Sequence, residues 1–274
     1  MPRWIKNGLR FLMVTVGVIA LTSFSIDATD TFRDSQSALG IFADKITEGE
    51  CPKDMLLINT GGYDFCIDKY EVSVGESCPV SVPFSIQDTA KNSTDANCLP
   101  ASEPDKTPWT YVAQPQAVQL CAKAGKRLPT PKEWYLAALG TPDNPKNCNL
   151  AGKLSLTGEW ESCVSGSGVN DMVGNAWELM EGEVVDKQFA NKELPEEGYV
   201  EQIDDDGLAT KTNNKPNPIY NDDYFWVRPE GKFVIMRGGF YGSKEDGGIY
   251  ATHVQVDQNF ASAAIGFRCV KLLQ

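Results

Sequence analysis

Leu120–Trp134 reads LCAKAGKRLPTPKEW, and it closes one helix and opens another within a few residues. Behind Pro115, apolar Val118, Leu120, Cys121 and Ala124 recur at helical spacing, and Gly125 stops the run. Lys126 and Arg127 suit the negative end of that helix, and Pro129 bars its continuation. Thr130-Pro131-Lys132-Glu133 is a capping box with proline at the first helical position. A second helix is therefore predicted through Trp134, Leu136, Ala137 and Leu139 to Gly140.

The flanks predict strands and loops. MLLIN from Met55, then GGY, then DFCIDKYEVSV reads as a hairpin on a Gly-rich turn, with Val72 and Val74 alternating against polar neighbours. From Thr141 to Gln274 the chain is rich in Gly, Asn, Asp and Pro, with short apolar runs such as KFVIMR, which predicts long loops on a small sheet. The fold class is α+β: two short helices, small antiparallel sheets and long loops.

Length and charge narrow the function. Of 274 residues, those after the N-terminal segment suffice for one large core, so a single domain is expected over 51–274. A net charge of -12 repels phosphate backbones and argues against a nucleic-acid partner. Glu178 to Asp206 holds eleven acidic side chains against Lys187 and Lys192, inside an acidic insertion at about 178–230. A solvated face is the first reading of such a run and cation capture the second. Asp204-Asp205-Asp206-Gly207 within it lacks the spaced glutamate of a calcium loop.

The N-terminus predicts export. Arg3, Lys6 and Arg10 precede an uncharged apolar run from Phe11 to Ile26, the pattern of a signal peptide. The run is shorter than the roughly 20 residues of a full span, yet can anchor with tilt or snorkelling. Residues 1–28 are thus expected to be a cleaved signal or a membrane anchor, and 29–50 a tether. All eight cysteines follow the segment, and an even number in an exported chain favours complete pairing. Proximity gives Cys51 with Cys66, Cys78 with Cys98 and Cys148 with Cys163.

The inventory is poor in catalytic groups. His253 is the single histidine, which excludes two-histidine metal centres within one chain, and no GxSxG motif is present. In NDMVGNAWEL (Asn170–Leu179), Gly174 frees the backbone to turn, while Asp171 and Glu178 supply hard oxygens of the kind calcium collects. A packed turn without metal is the alternative. Among the aromatics, Trp134 and Trp177 are expected in the core, and Trp226 on the surface.

LCAKAGKRLPTPKEW, NDMVGNAWEL, and RGGFYG (Arg237–Gly242) closing on IGFRC (Ile265–Cys269) follow one another in an order that resembles the sulfatase-modifying-factor, or formylglycine-generating-enzyme, domain, a variant of the C-type lectin fold. The resemblance covers roughly Cys51 to Cys269. It implies a disulfide between Cys121 and Cys269. It also implies a structural calcium on Asp171, Gly174, Ala176 and Glu178. The family's enzyme holds copper on two cysteines after its RGG, and here those positions are Ser243 and Gly248, which supply no thiolate for soft Cu(I). Copper and formylglycine formation are therefore not expected.

The tail is also similar to the ligand-binding C-terminal regions of lectin-fold target proteins diversified by retroelements. That likeness implies ligand contacts from Tyr241, Ser243, Lys244, Glu245, Tyr250, His253, Gln255 and Asp257, with Trp226 beside them. Loops on a rigid scaffold commonly carry recognition. The expected function is an exported, catalytically inactive module that binds a protein or glycan at the cell surface through residues 238–264. The alternative is a thiol oxidase acting on a protein cysteine, and a third reading is a structural envelope protein.

Overall fold

The computed structural model describes residues 51–273; the expected signal or anchor and its tether lie outside them. β1 (Met55–Ile58) pairs antiparallel with β2 (Phe65–Asp68), as the hairpin reading predicts, and β16 (Val270–Leu272) takes the other edge of β2. The two ends of the domain are thereby sewn into one three-stranded sheet. The strand predicted through Val72 and Val74 breaks after Asp68 and resumes as β3 (Ser73–Val74), which pairs with β4 (Pro100–Ala101). The break turns Glu71 inward, where its carboxylate accepts from Ala176 N–H at 3.1 Å.

Three helices form. α1 (Ile86–Thr94) has no counterpart in the sequence reading, because its apolar periodicity is weak. Its start is nonetheless written locally: the Ser85 hydroxyl accepts from Asp88 N–H, capping the first turn. α2 (Gln114–Lys123) carries proline in its first turn, and α3 (Pro131–Ala138) opens on the Thr130–Glu133 capping box.

The large sheet is mixed rather than purely antiparallel. It combines β5 (Trp177–Leu179), β9 (Gly198–Ile203), β10 (Ala209–Asn213), β11 (Tyr224–Val227), β13 (Met236–Arg237), β14 (Thr252–Val254) and β15 (Ile265–Gly266). Their order is β10-β9-β11-β14-β13-β5-β15, and the β11/β14 and β15/β5 pairs run parallel. The acidic insertion is not a plain loop. It supplies β9 and β10 to this sheet, and β6 (Val184–Val185), β7 (Gln188–Phe189) and β8 (Lys192–Glu193) join β12 (Lys232–Phe233) in a small four-stranded sheet.

Alternation along the strands divides the interior in two. Phe225, Val200 and Val254 face one core, with Trp134 and Phe65. Trp177, Leu179 and Met236 face the other, with Trp109, Leu120 and Phe267. Trp134 and Trp177 are core residues, at 0% and 5% exposure.

Disulfides take up all eight cysteines: Cys51–Cys66, Cys78–Cys98, Cys121–Cys269 and Cys148–Cys163. Such a set belongs to an oxidising compartment. Among the described residues no helix is long and apolar enough to cross a membrane.

Candidate functional site

The NDMVGNAWEL turn is the polar nucleus of the domain. Asp171, Gly174 and Asn175 all take positive φ, and at Gly174 any Cβ would fall 2.3 Å from the Asn149 carbonyl oxygen. Asn175 accepts from Ser155 N–H at 2.9 Å and from the Asn149 amide at 3.0 Å, while donating to Glu71. Asp171 accepts from Gly158 N–H at 2.6 Å.

Glu178, expected as a calcium ligand, accepts three hydrogen bonds here. Arg268 donates to its two oxygens from Nε at 2.7 Å and Nη2 at 2.6 Å, and Trp134 Nε1 donates at 2.8 Å. Among the described residues no group of three or more His, Cys, Asp or Glu side chains is arranged to hold a metal ion. Three buried carboxylates, Glu71, Asp171 and Glu178, thus surround one guanidinium. Burial, then Asp171 and Glu178, push the Glu71 carboxyl well up, and burial lifts Asp171 to about 6.

RGG locks onto this nucleus. Arg237 is fully buried, lies 5.0 Å over the Trp134 ring, and donates to the carbonyls of Gly207 at 2.9 Å and Ile249 at 2.7 Å. Gly238 has φ +93, and a Cβ there would stand 2.8 Å from the Met172 carbonyl oxygen. Beyond it Ser243 is buried in a tight turn, its hydroxyl accepting from Phe240 N–H at 3.0 Å. Ser243 and Gly248 offer no sulfur, and no described cysteine is free.

The second core runs out at the β9-β11-β14 end of the large sheet, and there a row of rings stands half exposed. Tyr199 meets Tyr224 edge-on at 5.0 Å, Tyr224 meets Trp226 at 4.9 Å, and Trp226 meets Trp177 edge-on at 5.6 Å. His253, paired with Trp226 in register, lies 5.7 Å from Trp177 and 6.1 Å from Trp226. Glu197 rims the row, accepting from the Tyr224 hydroxyl at 3.3 Å and from the Gln255 amide at 2.6 Å. Burial, then Arg228, depresses His253 to about 4, so the imidazole is neutral at pH 7.

The sequence-derived ligand residues are split by this geometry. Trp226, His253 and Gln255 share the aromatic face. Tyr250 lies on the opposite face, at 5.1 Å from Tyr220 and 6.1 Å from Tyr135. Lys244 and Glu245 are exposed beside Tyr241, which packs on Phe240 at 5.2 Å, and Asp257 is exposed in a turn that its own carboxylate caps through Asn259 N–H. Buried Ser243 presents nothing to a ligand, because its hydroxyl serves the turn. Tyr199, Tyr224 and Glu197 were missed; only the Tyr-Phe-Trp alternation of β11 hinted at Tyr224, and strand register brings in the rest.

The chain belongs to the sulfatase-modifying factor enzyme 1-like domain family, which it matches over residues 58–273. Among solved structures it is similar to the Major Tropism Determinant U1 variant, at 20% identity over 82% of this chain and 54% of that one, with a TM-score of 0.51. The M1 variant is similar at 19% identity over 81% and 53%, with a TM-score of 0.50. The chain spans about half the length of these proteins, and the likeness establishes the C-type lectin-like fold that they share. Among curated proteins none matches in sequence.

Proposed function

We propose that this member of the sulfatase-modifying factor family is an exported recognition module that binds a protein or glycan ligand and carries out no thiol oxidation. One observation carries the reading: contiguous, half-exposed rings of Tyr199, Tyr224 and Trp226 lie on a rigid sheet, with Glu197 and Gln255 hydrogen-bonded at their rim. Aromatic faces with polar groups at the edge supply large contact area at small cost in side-chain entropy. The exposed pair Lys244–Glu245 and Asp257 belong to the same C-terminal segment.

Family-type oxidation needs thiolates, and every cysteine of the chain is in a disulfide. The Cys121–Cys269 bond instead fastens α2 to the strand that closes the domain. The likeness of the fold to tropism determinants supports recognition as the use of this scaffold.

The test is a binding screen of the labelled full-length exported protein against glycan arrays and cell surfaces. A Tyr224→Ala/Trp226→Ala variant with unchanged melting temperature serves as control. Binding that falls at least tenfold, about 1.4 kcal/mol, in the variant supports the site. Equal binding by both proteins rejects it.

A further inference from the structure

Outside the aromatic face, two aspartates converge on one point of the C-terminal segment. Asp223, just before β11, is fully buried, and one of its oxygens, Oδ2, accepts from Tyr250 N–H at 2.7 Å. Asp143, in the loop after α3, accepts from Ile249 N–H at 2.8 Å and from the Asn221 amide at 3.0 Å, both on Oδ2. Successive amides of the segment therefore land on two different carboxylates. The remaining oxygens crowd one point beside Gly248: Asp143 Oδ1 and Asp223 Oδ1 each stand 2.2 Å from the place a Gly248 Cβ would occupy. Asp223 Oδ1 is buried with no donor at all.

We propose that Asp143 and Asp223 share a single proton across Gly248, and that this acid–carboxylate pair is a pH-sensitive clamp holding Ile249 and Tyr250 to the sheet. The proposal rests on the recognition reading only for its consequence, because the clamped residues lead directly into β14, which carries His253.

Charge balance favours one proton. Two carboxylates crowded in a buried space cannot both ionise cheaply. The cation of the neighbourhood is Arg237, which touches neither carboxylate within ion-pairing distance and keeps Nε and Nη1 without acceptors. One carboxylate, one carboxylic acid and one guanidinium sum to zero. Tyr250 borders the pair, with Tyr135 and Tyr220 packed on its ring; burial, then Tyr135 and Asp223, pushes Tyr250 up to about 12. Asp222, next in the chain, adds a further buried oxygen without a donor. Asp204 and Asp206 reach the cluster only through their pull on Arg237. Burial lifts Asp143 to about 6, and burial with Asp143 lifts Asp223 well above the carboxylate range.

The sign follows. A carboxyl whose folded pKa is raised contributes stability that is complete below its unfolded value and is lost as pH rises through the folded one. The pair is thus most stable with both carboxyls protonated, keeps the single shared proton above about pH 6, where Asp143 ionises, and opens as Asp223 gives up that last proton.

Hydrogen exchange of the 244–255 peptide in the full-length protein, corrected for intrinsic rates, tests the clamp without any ligand. Protection is expected to fall roughly tenfold from about pH 5 to about pH 8, the factor that one unit of pKa coupling carries. Asp143→Asn removes the first of the two titrations and the coupling to Asp223, and should give a flatter profile. A pH-independent wild type, or a variant that keeps the wild-type dependence, overturns the proposal. Carboxyl-carbon NMR of the wild type gives the same answer if the variant does not fold. Asp143 and Asp223 carbons titrating together near or above pH 6 support the pair, and independent titration near the ordinary value of about 4 sinks it. Failure of the ligand screen with a positive exchange result would remove the recognition role alone.

Discussion

Arg268 grips Glu178 with two hydrogen bonds of 2.7 and 2.6 Å, and neither side chain is more than 1% exposed. The same guanidinium also donates to the carbonyls of Asp68 at 3.0 Å and Asn170 at 2.9 Å. This one residue of the C-terminal strand region therefore ties the NDMVGNAWEL turn to the N-terminal sheet. Burial opposes its charge, but Glu178, then Glu71 and Asp171, more than restore it.

Removing one partner leaves an uncompensated buried charge. Arg268→Met is expected to cost about 3–5 kcal/mol in urea unfolding. Arg268→Met/Glu178→Met together should recover part of that loss, because the pair's desolvation cost disappears with the pair. A double variant worse than the sum of the singles would contradict this.

The Glu178 oxygens serve Arg268 and Trp134 in this geometry. The melting temperature of the full-length protein should therefore be unchanged when calcium is replaced by a chelator. A fall of several degrees would show that an ion bridges Asp171 and Glu178 after all.

Cys121 and Cys269 close a loop of 148 residues. Replacing both by alanine is predicted to cost about 2–5 kcal/mol, more than the same change at Cys51 and Cys66, whose separation is 15. Parallel denaturant curves check the ranking.

His253 reports on the aromatic face. Its imidazole should titrate near 4 by NMR rather than at its usual value, since burial disfavours the cation. A depressed histidine contributes stability that is present above the unfolded pKa and is lost as pH falls toward the folded one. Relative to His253→Gln, the wild type should therefore lose stability between about pH 6.5 and about pH 4. An ordinary histidine titration would mean that the ring is solvated and the aromatic face open around it.

What the sequence made legible was local. The Thr130–Glu133 box, the stop at Gly125 and the hairpin around Gly61-Gly62 are written in neighbouring residues, and each appears in the fold. The α1 helix was not legible, because Ser85 and Asp88 announce a cap while few apolar residues follow at helical spacing. Glu178 looked like a free oxygen ligand because its partner, Arg268, lies ninety positions away. Tyr199 and Tyr224 were invisible as a pair for the same reason: their contact depends on the β9/β11 register. Tyr250 seemed to belong with His253, yet an odd spacing across a strand start sends the two side chains to opposite faces.

This chain keeps the family scaffold without the thiolates of its oxidase. The decisive measurement is a free-thiol count with a non-reducing peptide map on the full-length protein, followed by Cu(I) titration against a competing chelator. The expected result is no free thiol, Cys121 joined to Cys269, and no stoichiometric Cu(I) binding. Two reactive thiols that capture one Cu(I) would contradict it and return the chain to the oxidases.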